Sequence, residues 1–139
     1  MADIVVTAAQ VGLVDPQKAT TFDGIAAEAV TKGQPVYQVT TGKFGVADAN
    51  AANKQQVRGI ALQDAGANQA LTMVKEGAVY GYTLTSQAYD TPLFLSDTAG
   101  SLADAAGTLG VPVGIVTSLA DPSLTKVVYF DIRWNADYS

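Results

Sequence analysis

Gly42-Lys43 follows a β-forming run, Val36 to Thr40, at the place where a phosphate-binding loop would end. Such a loop requires G-x-x-x-x-G-K-[ST]: its glycines let backbone N–H groups curl around the phosphates, and its hydroxyl binds magnesium. Tyr37 stands where the first glycine belongs, and Phe44 where the hydroxyl belongs. Two of four fixed positions fail, so Lys43 reads as a turn lysine. Carboxylates offer little more. Asp97 and Asp104 form the nearest cluster, without the D-x-[DN]-x-[DN] ladder of a calcium loop, and Asp48-Ala49-Asn50 is too short to count. They read as solvated loop acids, and neither a metal nor a cofactor is expected.

Lys75, in Met73-Val74-Lys75-Glu76-Gly77, sits beside an expected turn, as the modified lysine of a lipoyl or biotin carrier does. Its Glu-Gly flank departs from that pattern, and a surface lysine is the simpler reading. The chain has no histidine and no cysteine, so the commonest acid–base group, thiolate nucleophiles and disulfides are all missing. An enzyme is not expected. Net charge is −5, and the eight basic residues are scattered singly, from Lys18 to Arg133. That distribution argues against nucleic-acid binding, which draws its affinity from clustered Lys and Arg. The start, MADIVVTAAQVGLVD, lacks the basic flank and long apolar core of a signal peptide, and no stretch reaches transmembrane length. A soluble protein made in the cytoplasm, with no membrane partner, is the expectation.

The elements that must position these residues are mostly short β-type runs cut by Gly, Pro, Asn and Asp. At 139 residues the chain fits one domain or two very small fused units. Ile4 to Thr7 is a first strand, and Gln10 to Asp23, with its Asp15-Pro16 turn signal, reads as an extended arm. Ile25 to Val30 fits either a helical turn or a strand. Ala47 to Gln56 is the best short-helix segment, with Asp48 as N-cap, although loop fits nearly as well. Val57 to Leu62 is a strand whose Gly59 marks a bulge or a close approach. Leu71 to Val74 and Ala78 to Thr85 are two strands joined by a hairpin turn at Glu76-Gly77. In the last strand, Val128, Phe130, Ile132 and Trp134 share one face, and Tyr129, Asp131 and Arg133 the other. The fold expected is all-β, with at most one or two short helices: a compact barrel or sandwich with an N-terminal arm. Residues 1–24 form the strand and arm, and 25–139 a single β-rich domain.

Two stretches echo one another. Pro35-Val36-Tyr37 matches Pro92-Leu93-Phe94, Ala47-Asp48-Ala49 matches Ala103-Asp104-Ala105, and Gly59 falls on Gly114. Leu71-Thr72 is set on Leu124-Thr125, and Val79-Tyr80 on Val128-Tyr129. The preserved order favours a duplicated unit, over residues 33–85 and 90–134, above chance similarity of short β-runs.

Lys32-Gly33-Gln34-Pro35-Val36-Tyr37, the turn Thr41-Gly42-Lys43, Val57-Arg58-Gly59-Ile60, Pro92-Leu93-Phe94-Leu95-Ser96 and Val111-Pro112-Val113-Gly114-Ile115 recur in an order that resembles the head-decoration, or capsid cement, proteins of tailed bacteriophages. The resemblance covers most of the chain from Glu28 onward. It implies a β-domain, as a homotrimer, on the outside of the virion, bridging neighbouring major capsid protein subunits against internal DNA pressure. An extended segment can add a strand to a neighbour's sheet edge. Asp3, Ile4, Val5, Val6 and Thr7 are the candidates for that capsid or subunit contact. The alternative is that they pair within their own domain.

Overall fold

The computed structural model describes residues 3–134, so the domain ends expected at residues 1 and 139 lie outside the described residues. The fold is mainly β, one curled antiparallel sheet that makes a half-barrel. Its strands are β1 (Asp3–Ile4), β2 (Gly12–Leu13), β3 (Thr20–Ile25), β4 (Pro35–Gln38), β5 (Phe44–Val46), β6 (Val57–Ala61), β7 (Ala70–Tyr80), β8 (Pro92–Leu95), β9 (Leu102–Ala103), β10 (Pro112–Ser118) and β11 (Lys126–Asp131). The only helical pieces among the described residues are 3-10 turns at Ala8–Gln10 and Pro16–Lys18.

β7 runs through eleven residues without a turn, where a hairpin was expected at Glu76-Gly77. Gly77 instead lies mid-strand at φ +144°, with a Cβ position only 2.7 Å from the Ala19 methyl. Glycine there permits a backbone and an approach that mimic a turn signal in sequence. β7 is in effect two strands fused end to end. Its first half pairs with β3 and β6, and its second half with β2 and β11. Between them the register against β3 slips by one residue, Thr21 facing Val74 and Thr20 facing Glu76.

Either side of this junction the same pairing pattern occurs. In the first unit Pro35 faces Ile60, Val36 faces Gly59, and the register skips Arg58 so that Tyr37 faces Val57. In the second, Pro92 faces Ile115, Leu93 faces Gly114, and the register skips Val113 so that Phe94 faces Pro112. Ile60 then faces Val74 and Ala61 faces Met73, while Ile115 faces Tyr129 and Val116 faces Val128. Met73 in turn faces Phe22, and Val128 faces Val79. The first unit is thus β3-β4-β5-β6 with the first half of β7, and the second is the remainder of β7 with β8-β9-β10-β11. The Pro35/Pro92 and Gly59/Gly114 matches occupy one register. Val79-Tyr80 and Val128-Tyr129 do not, because Val79 and Val128 are partners across the sheet. Nor does Leu71 fall on Leu124, which lies in the loop before β11.

Apolar residues alternate with the pleat and divide into two cores. Ala26, Val36, Phe44, Ala61, Leu71 and Met73 fill the first unit. Leu93, Leu95, Leu102, Val116, Val128 and Phe130 fill the second, joined by Val57, Ile60 and Val74 from the far face of the first unit's sheet. Both units therefore share buried surface as well as a strand. Val128, Phe130 and Ile132 are buried as expected, but Trp134 is 44% exposed. It leaves the strand line to stack edge-on over Phe22 at 4.7 Å and donates its indole N–H to the Arg58 carbonyl at 2.8 Å.

Ala47 to Gln56 forms turns, the loop alternative, and not a helix: the Asp48 carboxylate accepts from the Asn50 N–H at 2.8 Å, a local bond that competes with helix formation. Gln10 to Asp23 runs along its own sheet, with β2 and β3 on the outer edge of β7 and the Val14 N–H donating to the Ala78 carbonyl at 3.0 Å.

The close approaches make a graded test. A Cβ on Gly114 would stand 2.6 Å from the Tyr129 carbonyl oxygen, whereas one on Gly12 would meet nothing within 4 Å. Gly77→Ala and Gly114→Ala are each expected to lower stability by about 1–3 kcal/mol, and Gly12→Ala by less than ~0.5 kcal/mol. Urea denaturation of the three variants measures the order.

Candidate functional site

The candidate residues at the N-terminus are engaged within the chain. Asp3 and Ile4 pair with Ala103 and Leu102 on β9. Val5 then accepts from the Thr83 N–H at 2.8 Å, Val6 bridges Tyr82, and the Thr7 N–H donates to Gly81 at 2.8 Å. The segment therefore stitches the edge strand β9 to the continuation of β7. The Asp3 carboxylate also accepts from the Ser96 hydroxyl. Of the side chains, Ile4 is buried and Val6 half-buried, while Val5 is 64% exposed.

The other sequence candidates separate. Lys43 sits in the β4–β5 turn, where Val39 N–H donates to its carbonyl at 2.8 Å and its amine reaches the Asn68 side chain at 2.6 Å. Lys75 lies half-buried inside β7, not at a hairpin tip. Asp97 accepts from the Thr108 N–H and hydroxyl at 2.8 and 2.9 Å, tying two loops together. Asp48 is in its own turn. The Asp48 turn and the Asp97 loop lie side by side, since the Ala49 N–H donates to the Ser96 carbonyl at 3.0 Å and the Gly100 N–H to the Ala47 carbonyl at 2.9 Å.

What the fold does gather is an end of the second unit. Residues 5–7, 81–89 and 124–126 meet there, around a depression of about 380 Å³ lined by Thr7, Gln10, Tyr80, Tyr82 and Thr125. Lys126 pins the 84–87 segment by donating to the Leu84 and Gln87 carbonyls, and its charge stands 5.3 Å from the Tyr89 ring centre. Tyr89 donates its hydroxyl to the Leu124 carbonyl at 2.6 Å. Tyr82 donates to the Gly33 carbonyl at 2.7 Å, linking this end to the first unit, and burial pushes its phenol far above the ordinary range.

Leu124 is the exception to local rules. Its φ is +49°, in the left-handed region, and 53% of it is exposed. Among the described residues, the other non-glycine positions with positive φ are Asn68 and Asp90, types that tolerate it. A leucine there incurs backbone strain and an unfavourable apolar exposure together. The loop is closed around it by hydrogen bonds: Asp121 accepts from the Thr125 N–H at 2.9 Å and the Thr125 hydroxyl at 2.7 Å. Val5, Tyr80 and Tyr89, at the same end of the second unit, are also exposed. Sequence reasoning missed Leu124 because nothing in Pro122-Ser123-Leu124-Thr125 signals an inverted φ at the leucine.

No protein-family model matches the chain, and no curated protein or solved structure matches it.

The Thr125 hydroxyl and N–H hold the Asp121 carboxyl below its usual range. A lowered folded-state pKa contributes stability above the unfolded value and loses it as pH falls through the folded one. The 121–125 loop is therefore expected to stay ordered through neutral and mildly acidic pH and to loosen only below the ordinary carboxylate range, about pH 3.9. Amide NMR shifts of Leu124 and Thr125 against pH measure this, and Asp121→Asn should remove the transition.

Proposed function

We propose that this chain is a structural virion protein that binds the outer surface of a tailed-phage capsid and stabilises it by bridging major capsid subunits. The observation that carries the reading is Leu124, an exposed leucine held in a left-handed conformation by a carboxylate-capped loop. A residue unfavourable to its own fold on two counts has its use in a contact outside the chain. Its neighbours fit a protein partner: exposed tyrosines and a valine beside polar groups, the mixture found at the centres of protein interfaces. The order of strands and turns from Lys32 to Val116 supports a capsid as that partner. The chain's net charge of −5 suits an outer surface turned away from packaged DNA. Asp3 to Thr7 contribute by framing this end, with the Val5 side chain free to make contact.

Cementing a lattice requires many modest contacts repeated by symmetry, so a single anchor per subunit is enough to matter. Leu124→Asn separates that role from folding. Asparagine accepts the left-handed conformation, so thermal stability should hold or rise. Affinity for purified capsids should fall about tenfold or more, the loss expected when a leucine leaves an interface. Co-sedimentation with intact and expanded capsids measures binding, and wild-type protein that stays in the supernatant beside both overturns the reading.

A further inference from the structure

The edge of a β-sheet presents backbone N–H and C=O groups that need partners, and folded chains cover or shorten their edges accordingly. β5, β1 and β2 follow that rule. At β5 the Ala27 N–H donates to the Phe44 carbonyl at 2.7 Å, and the Glu28 carboxylate accepts from the Val46 N–H at 3.2 Å. β1 and β2 are only two residues long. β3 departs from the rule. Among the described residues Thr20–Ile25 pairs with β7 alone, and β5 reaches only its end, where Ala26 bridges Phe44.

Alternation along the strand decides which of its groups are free. The Ala26 N–H donates to the Gln69 carbonyl at 2.9 Å, and the Asn68 N–H to the Ala26 carbonyl at 2.7 Å. Ala26 therefore faces β7, and by the same alternation so do Gly24 and Phe22. On β7 the Thr72 carbonyl accepts from the Leu62 N–H at 2.9 Å. That turns Thr72 toward β6 and leaves Leu71 and Met73 for Gly24 and Phe22, their partners in register. The N–H and C=O groups of Thr21 and Asp23 thus point away from the sheet. The strand holds neither lysine nor proline to guard them. Its one charge, the Asp23 carboxylate, is drawn across the sheet to the Thr72 hydroxyl at 2.9 Å. Thr20, Thr21, Asp23 and Ile25 are all exposed.

We infer that the outer edge of β3 accepts an extended segment of a capsid subunit as an added strand. The capsid as source of that segment rests on the proposed function. Its extended form follows from the backbone, because a row of outward N–H and C=O groups is matched by another extended chain. Thr21 and Asp23 exchange main-chain hydrogen bonds with it. Beside Asp23 the segment is best served by lysine, arginine, serine or threonine, and beside Ile25 by an apolar side chain. Bridging two subunits requires two contacts on one molecule. β3 belongs to the first unit and Leu124 to the second, so the two contacts fall on separate units.

Hydrogen exchange of the full chain, free and bound to purified capsids, tests this. The Thr21 and Asp23 amides should exchange freely in the unbound protein and about tenfold or more slowly on the capsid. Thr21→Pro removes an outward N–H and no bond to β7, so its affinity in co-sedimentation should fall about tenfold or more. Bound protein whose Thr21 and Asp23 amides exchange as in the free chain overturns the inference and leaves capsid decoration standing. A folded Thr21→Pro variant with wild-type affinity overturns it as well. If that variant fails to fold, the exchange comparison on wild-type protein decides alone. Wild-type protein that binds no capsid overturns this inference and the decoration reading together.

Discussion

The structure depends on β7 being one strand with two neighbourhoods. Along its eleven residues it pairs with four other strands, and its own backbone changes character between Val74 and Gly77. The slip in register re-aims the side chains, so Met73 points into the first core and Val79 into the second. Without that change, Val74 and Val79 could not serve one core while Met73 serves another, because a regular pleat fixes which residues share a face. Ala19 lies against Gly77 where a side chain would otherwise stand, so β2 and β3 can follow the outer edge of β7 across the junction.

Sharing a strand also shapes what remains at the surface. The first unit's sheet is buried on both faces, one by its own small core and the other by the second unit. Its central positions are correspondingly apolar, as Val57, Gly59, Ile60 and Ala61 are in β6, with Arg58 half-buried between them. The second unit keeps one face open, and its outward positions become Pro112, Ile115, Tyr129 and Asp131, amphipathic rather than purely aliphatic. At the far end the chain accepts strain at Leu124, with Asp121, Tyr89 and Lys126 holding the loop in place. Two surfaces of different character thus emerge: an open, grooved sheet face and an exposed leucine in a capped loop.

Much of the fold was legible where local and global preferences agree. The alternation in β11 announced its buried face, and the failure of Tyr37 and Phe44 to fit a phosphate loop left Gly42-Lys43 as the turn it is. Gly59, read as a bulge or close approach, sits at a register slip, and Gly114, set on it in the echo, sits at the corresponding slip of the second unit. The misreadings arise where one residue type serves two ends. Glu76-Gly77 has the composition of a hairpin turn, but Gly77 is there for backbone shape within a strand. Asp48 is a good N-cap, and an equally good acceptor for the turn it makes with Asn50. Gln10 to Asp23 lacks a clear apolar period because β2 and β3 lie at the rim, where Thr20, Thr21 and Asp23 face solvent. Neither candidate surface has a sequence signature: one depends on which strand edge the chain leaves uncovered, the other on a single dihedral angle.

The central claim is that both units fold through β7 and cannot open separately. Native-state hydrogen exchange measures this directly, by comparing amides of β6 with those of β10 in increasing denaturant. The account predicts that Ile60, Val74, Val79 and Val116 exchange with one free energy, equal to that of global unfolding. Amides of the first unit that open well below those of the second, with β7 dividing at Gly77, would contradict it.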